Sequence, residues 1–521
     1  MRGRMREQQY TPADKARTCK KNFRNNLIIF ASHPKGKAMN TPSKHFFIKS
    51  LIFICCLSLL FITACNNAAN IPKESNSNNT PTENATEEKD TDMETQRKTQ
   101  KETEKLEYSE HGLLALRSEI PVYNDTNERM FISFMNECRP NDSQITEAWQ
   151  NMVDCGITAF HSWGASQRYI GLCKKYGLDF IPFINLKNPQ DMGIPGFDPS
   201  RDEDAVLGFS YFDEPNYDKI DELAPFAKNH AEKYPDKLFY VNLHPCWPED
   251  EYVDGKTLCG HNYTEYVEHY CDVIFPHVTE NRFLSVDYYP LYADGTMKTE
   301  WLYTYENIAK AAKEHGATFH FYVASTEHYG YRKLDENNLR YLVNVAMTYG
   351  ADAMSYFTYA TYETADNWKN SMVDTSGTVK YDEYYIAKKV NHELLNWDHI
   401  FLNIDWECTM TLEGTNGDKN PSFNRLQFSA ESIDIISSAS SDEDVLIGRF
   451  TGKDNEIGLM VTNFSDPINQ RTAHVQLSLL DANRAIVYLR GVPTVVDVID
   501  GNLELDIAPG DAMFVIPLAI K

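Results

Sequence analysis

Five polar residues each close a short apolar run: His161 in ITAFHSWG, Asn185 in LDFIPFIN, Glu214 in LGFSYFDE, His244 in KLFYVNLHP and Asp287 in FLSVDYYP. In a β-strand alternate residues share a face, so each run can be tested for which neighbours its polar end would join. Placing Glu214 inward takes Phe212, Ser210 and Gly208 with it and leaves Phe209 and Tyr211 outward. Asp287 goes with Ser285 against Leu284 and Val286; His244 goes with Asn242 against Val241 and Leu243; Trp163, His161 and Ala159 go together. Singly, each is an ordinary strand-end polar group. Together they predict one rim carrying two carboxylates, two imidazoles and amides. Two carboxylates of unequal pKa can work as an acid and its partner, one protonated for a leaving oxygen and one ionised to attack or to activate water. Asp213 beside Glu214 supplies a charge that raises the pKa of the acid. The competing reading of Asp213-Glu214-Pro215 is a helix start, since acidic residues favour a first turn.

Aromatic residues crowd the same segments: Trp163, Trp247, Tyr288, Tyr289, Tyr292, Tyr356, Tyr359 and Tyr362. Flat rings next to carboxylates and amides suit sugar rings, whose C–H faces stack while their hydroxyls take hydrogen bonds. The alternative for each is packing between strands and helices. His161, Glu214, His244 and Asp287 also have metal-ligand chemistry, but no HExxH or comparable local spacing supports a metal site, and neither a metal nor another cofactor is expected.

The elements that must position these residues alternate. Strand candidates begin at Met130, Ile157, Leu178, Leu207, Lys237, Phe283, Ala317 and Ala351, separated by helix candidates such as TEAWQNMVDCG, SQRYIGLCKKYG and YTYENIAKAAKEHG, several ending in a capping Gly. Eight such units predict an α/β fold of the (β/α)8 TIM-barrel type over 108–397, with chemistry at the carboxyl ends of the strands. An open doubly wound sheet is the rival, but no glycine-rich phosphate loop follows the first strand. From 398 to 521 short alternating strands without helices predict a small β-sandwich, whose default role is packing.

GFSYFDEPN (208–216), YVNLHP (240–245), SVDYYP (285–290) and YFTYATYE followed by VDTSGTVKYDEYYIAKKVNHEL resemble a clan A type glycoside hydrolase barrel, near the β-galactosidase-like family 42. The resemblance spans about Met130 to Trp397. It implies a sugar-acting enzyme whose general acid/base is a glutamate after the fourth strand, the place Glu214 occupies, although Asp213 stands where the clan has asparagine. It implies a glutamate nucleophile ending the seventh strand, for which Glu327 in VASTEHYG is the nearest candidate; Asp287 is the other candidate for the second carboxylate. His161, Trp163, Asn185, Asp213, Asn242, His244, Trp247, Tyr289, Tyr356 and Tyr359 are then expected to contact the carbohydrate. Two rivals are a non-catalytic glycan-binding lipoprotein on the same scaffold and a metal-dependent barrel enzyme.

The amino-terminal part has a different composition. Residues 1 to 65 carry twelve Lys and Arg against two Asp and Glu, so with −25 overall the remainder carries about −35. So acidic a body repels phosphate backbones, and nucleic acid is not an expected partner. The apolar run Phe46–Ala64 follows Lys44 and ends in Ile62-Thr63-Ala64-Cys65, which resembles a bacterial lipobox. The expected order is an over-extended start (1–38), a lipoprotein signal (39–65), a disordered acidic tether (66–107) and the folded body. Cys65 would then anchor the protein to the outer face of the cell membrane. The seven cysteines beyond it are irregularly spaced with no CxxC pair, which argues against both a disulfide framework and a zinc site. Replacing Cys65 by Ala should block processing and release or retain the precursor; unchanged size and membrane partitioning on fractionation would remove the lipobox.

Overall fold

The computed structural model describes residues 106–108, 114–116, 129–164, 166–184, 203–247, 258–361, 368–417, 419–452 and 455–519. Cys65, Asn185 and Tyr362, and the segments assigned to start, signal and most of the tether, lie outside the described residues. Leu106–Tyr108 pairs antiparallel with Leu114–Leu116, so the ribbon takes in 106 and 107, the last two residues of the expected tether. Each run alternates a larger apolar side chain with a smaller or polar one, the pattern of a strand.

All eight expected strands form: β1 (Phe131–Phe134), β2 (Ala159–Ser162), β3 (Asp179–Pro182), β4 (Gly208–Asp213), β5 (Leu238–Leu243), β6 (Phe283–Asp287), β7 (Thr318–Ala324) and β8 (Ala353–Phe357). Six make one parallel ladder, in the order β1-β8-β7-β6-β5-β4, and β2 pairs with β3 in a second. The ladders meet where Thr158 N donates to Ile132 O at 2.9 Å beside β1, and where Ile184 N donates to Ser210 O at 2.8 Å beside β4. The result is a TIM-barrel-like domain followed by a β-rich domain.

Helices α1 (Ile145–Asp154), α2 (Gln167–Tyr176), α3 (Tyr217–Lys233), α4 (Tyr263–Ile274), α5 (Trp301–His315), α6 (Glu336–Thr348) and α7 (Asp382–Leu395) lie between or after the strands. Gly177 and Gly316 end α2 and α5 at φ +67° and +61°, left-handed conformations in which a Cβ would be strained. Outward strand residues Phe209, Tyr211, Val241, Leu243, Leu284 and Val286 join the buried apolar layer under the helices. Facing inward are Ser133, His161, Ser210, Tyr240, Ser285, His320 and Ser355, so the barrel interior is unusually polar.

The carboxyl-terminal domain holds β9 (Ile404–Leu412), β10 (Ile436–Ser441), β11 (Val445–Gly452), β12 (Ile457–Asn463), β13 (Ala473–Leu479), β14 (Ala482–Leu489), β15 (Val492–Asp497), β16 (Asn502–Ile507) and β17 (Ala512–Ala519). In its six-stranded sheet β9-β11-β12-β17-β14-β15 the inner strands β11 and β12 are buried on both faces. Val445, Ile447, Leu459, Val461 and Val515 meet the three-stranded sheet β10-β13-β16. Leu446, Phe450, Met460, Tyr488 and Phe514 join the barrel's apolar layer, with Trp397 stacked on Tyr488 at 5.9 Å. Gly448 lets β11 approach α6 so closely that a Cβ would come within 2.3 Å of Thr348 O. The domain thus packs on the barrel through this face.

A buried ion pair crosses the junction. Arg332 donates to both Asp466 oxygens at 2.6 and 2.9 Å, with side chains only 10% and 12% exposed. Asp466→Ala should cost about 3 kcal/mol, because it strands a buried guanidinium. Urea unfolding measures it, and the double change Arg332→Met with Asp466→Leu should recover most of the loss.

Candidate active site

The carboxyl ends of β4, β5 and β6 meet at one point. Asn242, only 3% exposed at the end of β5, donates from Nδ2 to Asp213 Oδ1 at 3.1 Å and to Asp287 Oδ1 at 2.9 Å. The Glu214 carboxyl is in hydrogen-bond contact with Asp287. Two carboxyl groups thus share one amide, and a third meets one of them.

Alternation by itself would have turned Asp213 outward, away from this cluster. The register between β4 and β5 slips at Tyr211, so that Ser210 pairs with Tyr240, Phe212 with Val241 and Asp213 with Asn242. Such a bulge inserts one residue and inverts the facing of all that follow. Asp213 therefore turns inward, and Phe212 turns out beneath the Lys219 ammonium at 5.2 Å from the ring. The expected inward partnership of Phe212 with Glu214 is corrected accordingly. Glu214 returns to the cleft by another device, a left-handed backbone at φ +49° that a non-glycine residue adopts only at a cost. Its N–H donates to Asn242 O at 2.8 Å, and Tyr266 of α4 donates to Pro215 O at 2.7 Å and accepts from His244 N at 3.0 Å. Helix α3 is capped by Asn216, which accepts from Lys219 N at 2.9 Å, so neither Asp213 nor Glu214 serves as its cap.

Burial and crowding shift these groups. Glu214 is pushed up to about 9, first by desolvation, then by the charges of Asp287 and Asp213 and the hydrogen bond with Asp287. Asp287 is pushed up to about 7 by desolvation and by Asp213, against the lowering effect of its bonds from Asn242 and Tyr289. Asp213 is also raised by desolvation, with Asn242 opposing. At neutral pH Glu214 holds a proton, while 39% of its side chain stays open to the cleft. Protonated Glu214 can give that proton to an incoming oxygen, and Asp287 beside it, at about 7, loses its own proton before Glu214 does.

His244 Nδ1 lies 3.1 Å from Pro245 O and donates there, and its Nε2 stands 4.0 Å from Glu214 Oε2. Desolvation pushes it down to about 4, so it is a neutral imidazole beside the acid. His161 is likewise lowered to about 4, and it lies inside the barrel at 5.3 Å from the Tyr240 ring rather than open to the cleft. Trp163 is 41% exposed at the rim, packed on Phe183, with its backbone N–H donating to Glu137 Oε2 at 3.3 Å.

The remaining expected contacts divide. Tyr289 bonds Asp287 and stacks on Phe357 at 5.8 Å. Trp247 covers the Lys298 ammonium, 3.1 Å from its ring centroid. Tyr356 and Tyr359 are turned away. The first gives its hydroxyl to Asn391 of α7 at 2.6 Å and the second stacks on Phe134 at 4.6 Å, both fully buried in the wall between strands and helices. On β8 it is Ala353, Ser355 and Phe357 that face inward, the opposite set from Tyr356. Glu327 is ion-paired with Lys369 at 2.8 Å, whereas Asp287 is the carboxylate that shares the Asn242 amide with Asp213. The Asn242 nitrogen is engaged by two carboxylates.

The sequence did not single out Glu137, His328, Tyr331, Phe357 or Trp368, although the last four form an aromatic wall continuous with Tyr289. His328, Tyr331 and Trp368 stand on loops, where no alternation marks a facing. Among the described residues no group of three or more His, Cys, Asp or Glu is arranged to hold a metal ion.

No family model and no curated protein matches the chain. Solved structures overlap it loosely. A putative α-galactosidase/melibiase from Bacteroides fragilis superposes with TM-score 0.41 at 9% identity, over 75% of this chain and 79% of that one. The α-galactosidase I of Mortierella vinacea gives 0.40 at 9% over 76% and 98%, and a putative α-L-fucosidase from Bacteroides thetaiotaomicron gives 0.33 at 11% over 54% and 98%. These neighbours are glycosidases, but overlaps of this size assign the chain no family and no substrate.

Glu214 also has a stability signature. Its folded value lies above its ordinary 4.5, so the stability it contributes is present below that value and is lost as pH rises toward about 9. Glu214→Gln keeps the shape and removes the charge. Its Tm should exceed that of the parent by a few degrees near pH ~9, with the gain vanishing near pH ~4; calorimetry at the two pH values checks this.

Proposed function

We propose that the protein is a glycoside hydrolase, with Glu214 as proton donor and Asp287 as the ionised partner, at the mouth of a closed eight-stranded barrel. The observation that carries this is a cleft-facing Glu214 beside Asp287, at the ends of β4 and β6 on either side of Asn242 of β5, in a TIM-like scaffold whose sites lie at that end. The leaving oxygen takes the Glu214 proton as the C–O bond breaks, and Asp287 attacks the sugar carbon or draws a proton from water. Retention needs the two carboxyls about 5 to 5.5 Å apart and inversion about 6.5 to 9.5 Å. Here they touch, so substrate entry must part them, with the glycosidic oxygen replacing Asp287 as acceptor of the Glu214 proton. That exchange frees Asp287 as an anion at the moment it is needed.

Trp163, Trp247 and Tyr289 supply flat surfaces for sugar rings, and Asp213 and His244 border the same space. An acidic body favours a neutral or basic glycan over a polyanionic one. The lipobox at Cys65 would put the enzyme outside the cytoplasmic membrane, where polysaccharide substrates are met. The motifs near family 42 support the same class, although Asp213 and the Glu327–Lys369 pair depart from that family's pattern.

The test is Glu214→Gln on two substrates. Loss of the acid should lower kcat/KM by about 10² to 10⁴ on a natural oligosaccharide and much less on an activated aryl glycoside, whose leaving oxygen needs no proton. In the parent, kcat/KM should rise as Asp287 ionises through about 7 and fall as Glu214 loses its proton through about 9. Equal losses on the two substrates, or none, would remove Glu214 from the acid role, and no turnover by the parent on either would favour the non-catalytic glycan-binding lipoprotein.

A further inference from the structure

Beneath the carboxyl cluster the barrel interior carries a hydrogen-bonded chain whose proton order can be worked out link by link. Asp213 and Asp287 present carboxylate oxygens, which accept, so the Asn242 nitrogen must face them and its Oδ1 must face down. That Oδ1 lies 2.9 Å from Ser285 Oγ, and an amide oxygen only accepts, so Ser285 commits its single proton there. Ser285 Oγ is then an acceptor for His320 Nδ1 at 2.8 Å. His320 is fully buried, and desolvation holds it well below its ordinary value, so its ring is neutral with one N–H. With the proton on Nδ1, Nε2 accepts from Ser355 Oγ at 2.8 Å. Every donor from Ser355 through His320, Ser285 and Asn242 therefore points toward the carboxyl groups.

We propose that Ser285 and His320 are positioning residues for the site: they lock the Asn242 amide in the one orientation that donates to Asp213 and Asp287 together, and so favour the ionised form of those carboxyls. A flipped amide would set its oxygen against two anions and its nitrogen against a hydroxyl already held by His320. Nothing in a strand's local sequence demands a serine and a histidine inside a barrel, where aliphatic layers are the norm. The chain gives them a task. Asp287 is faced by Asp213 and Glu214 from the end of β4, by Tyr240 of β5, by Tyr289 beyond β6 and by Tyr322 of β7, while His161 of β2 adjoins His320. None of these supplies the Asn242 donor that Ser285 holds in place.

The proposal deepens the glycosidase reading, and it is tested without turnover. Aspartate labelled with ¹³C at the carboxyl is titrated by NMR in the mature protein, with Asp213 and Asp287 assigned through their Asn variants. Ser285→Ala should raise the titration of Asp287, Asp213 or both by about one pH unit, as expected for loosening an N–H donor to a carboxylate. Ser285→Thr, which keeps the hydroxyl, should titrate as the parent does. Ser355→Ala, one link further away, should give a smaller shift in the same direction, and it carries the test if Ser285→Ala does not fold. Unchanged titration in a folded Ser285→Ala protein, or an equal shift in Ser285→Thr, would overturn the proposal. Shifted carboxyls in a protein without glycosidase activity would sink the functional reading and leave the positioning role standing; activity with unmoved carboxyls would do the reverse.

Discussion

The Asn242 amide, shared between Asp213 and Asp287, is the contact on which the rest of the site depends. Three carboxyl groups drawn to one point in a desolvated mouth would each be driven to hold a proton, and the site would lose the distinction between acid and base. Two N–H bonds from one buried nitrogen oppose that on the aspartates. Glu214 receives no such bond from Asn242, and the proton settles on it. The difference in pKa between two carboxyls in contact is thus made by who receives the donors.

That arrangement has consequences down the barrel. An amide that must donate upward has to be held from below, and the polar interior of Ser285, His320, Ser355 and Tyr240 does this. Tyr240 and Tyr322 share a hydrogen bond of 2.6 Å alongside the chain. The imidazoles stay neutral because burial lowers all three of His161, His244 and His320, so none adds a positive charge that would quench the acid. The scaffold is also braced against the cost of this polar core. The six-stranded sheet of the second domain closes the apolar layer around Trp397 and Phe401, where Phe401 meets Phe450 at 5.8 Å.

Backbone conformation concentrates its irregularities at the same place. The register slip at Tyr211 and the left-handed Glu214 are successive departures from a regular strand within four residues. Together they bring two consecutive side chains, Asp213 and Glu214, into one cleft, which a regular strand forbids because neighbours point to opposite faces. Strain stored at a site in this way is stable only when its surroundings over-determine it. Asn242 O, Tyr266 and the Asn216 cap supply that constraint.

What the sequence determined by itself was everything that follows from period and punctuation. Eight apolar runs, glycine-capped helices and the later change to short alternating strands gave the two-part α/β and all-β order. Alternation gave the facing of His161, Asn242, His244, Ser285 and Asp287, because each strand there is regular to its end. What only the tertiary structure decided was the facing of Asp213, the task of Asn242, the withdrawal of Tyr356 and Tyr359 into the wall, and the pairing of Glu327 with Lys369. It also decided that one sheet of the second domain packs on both faces, Val445 and Ile447 one way, Leu446 and Phe450 the other. The reason is common to all of these. A bulge, an amide's partners and the occupant of a sheet's second face are set by the neighbouring strand or domain, which lies near in space and far along the chain, where no local pattern reaches.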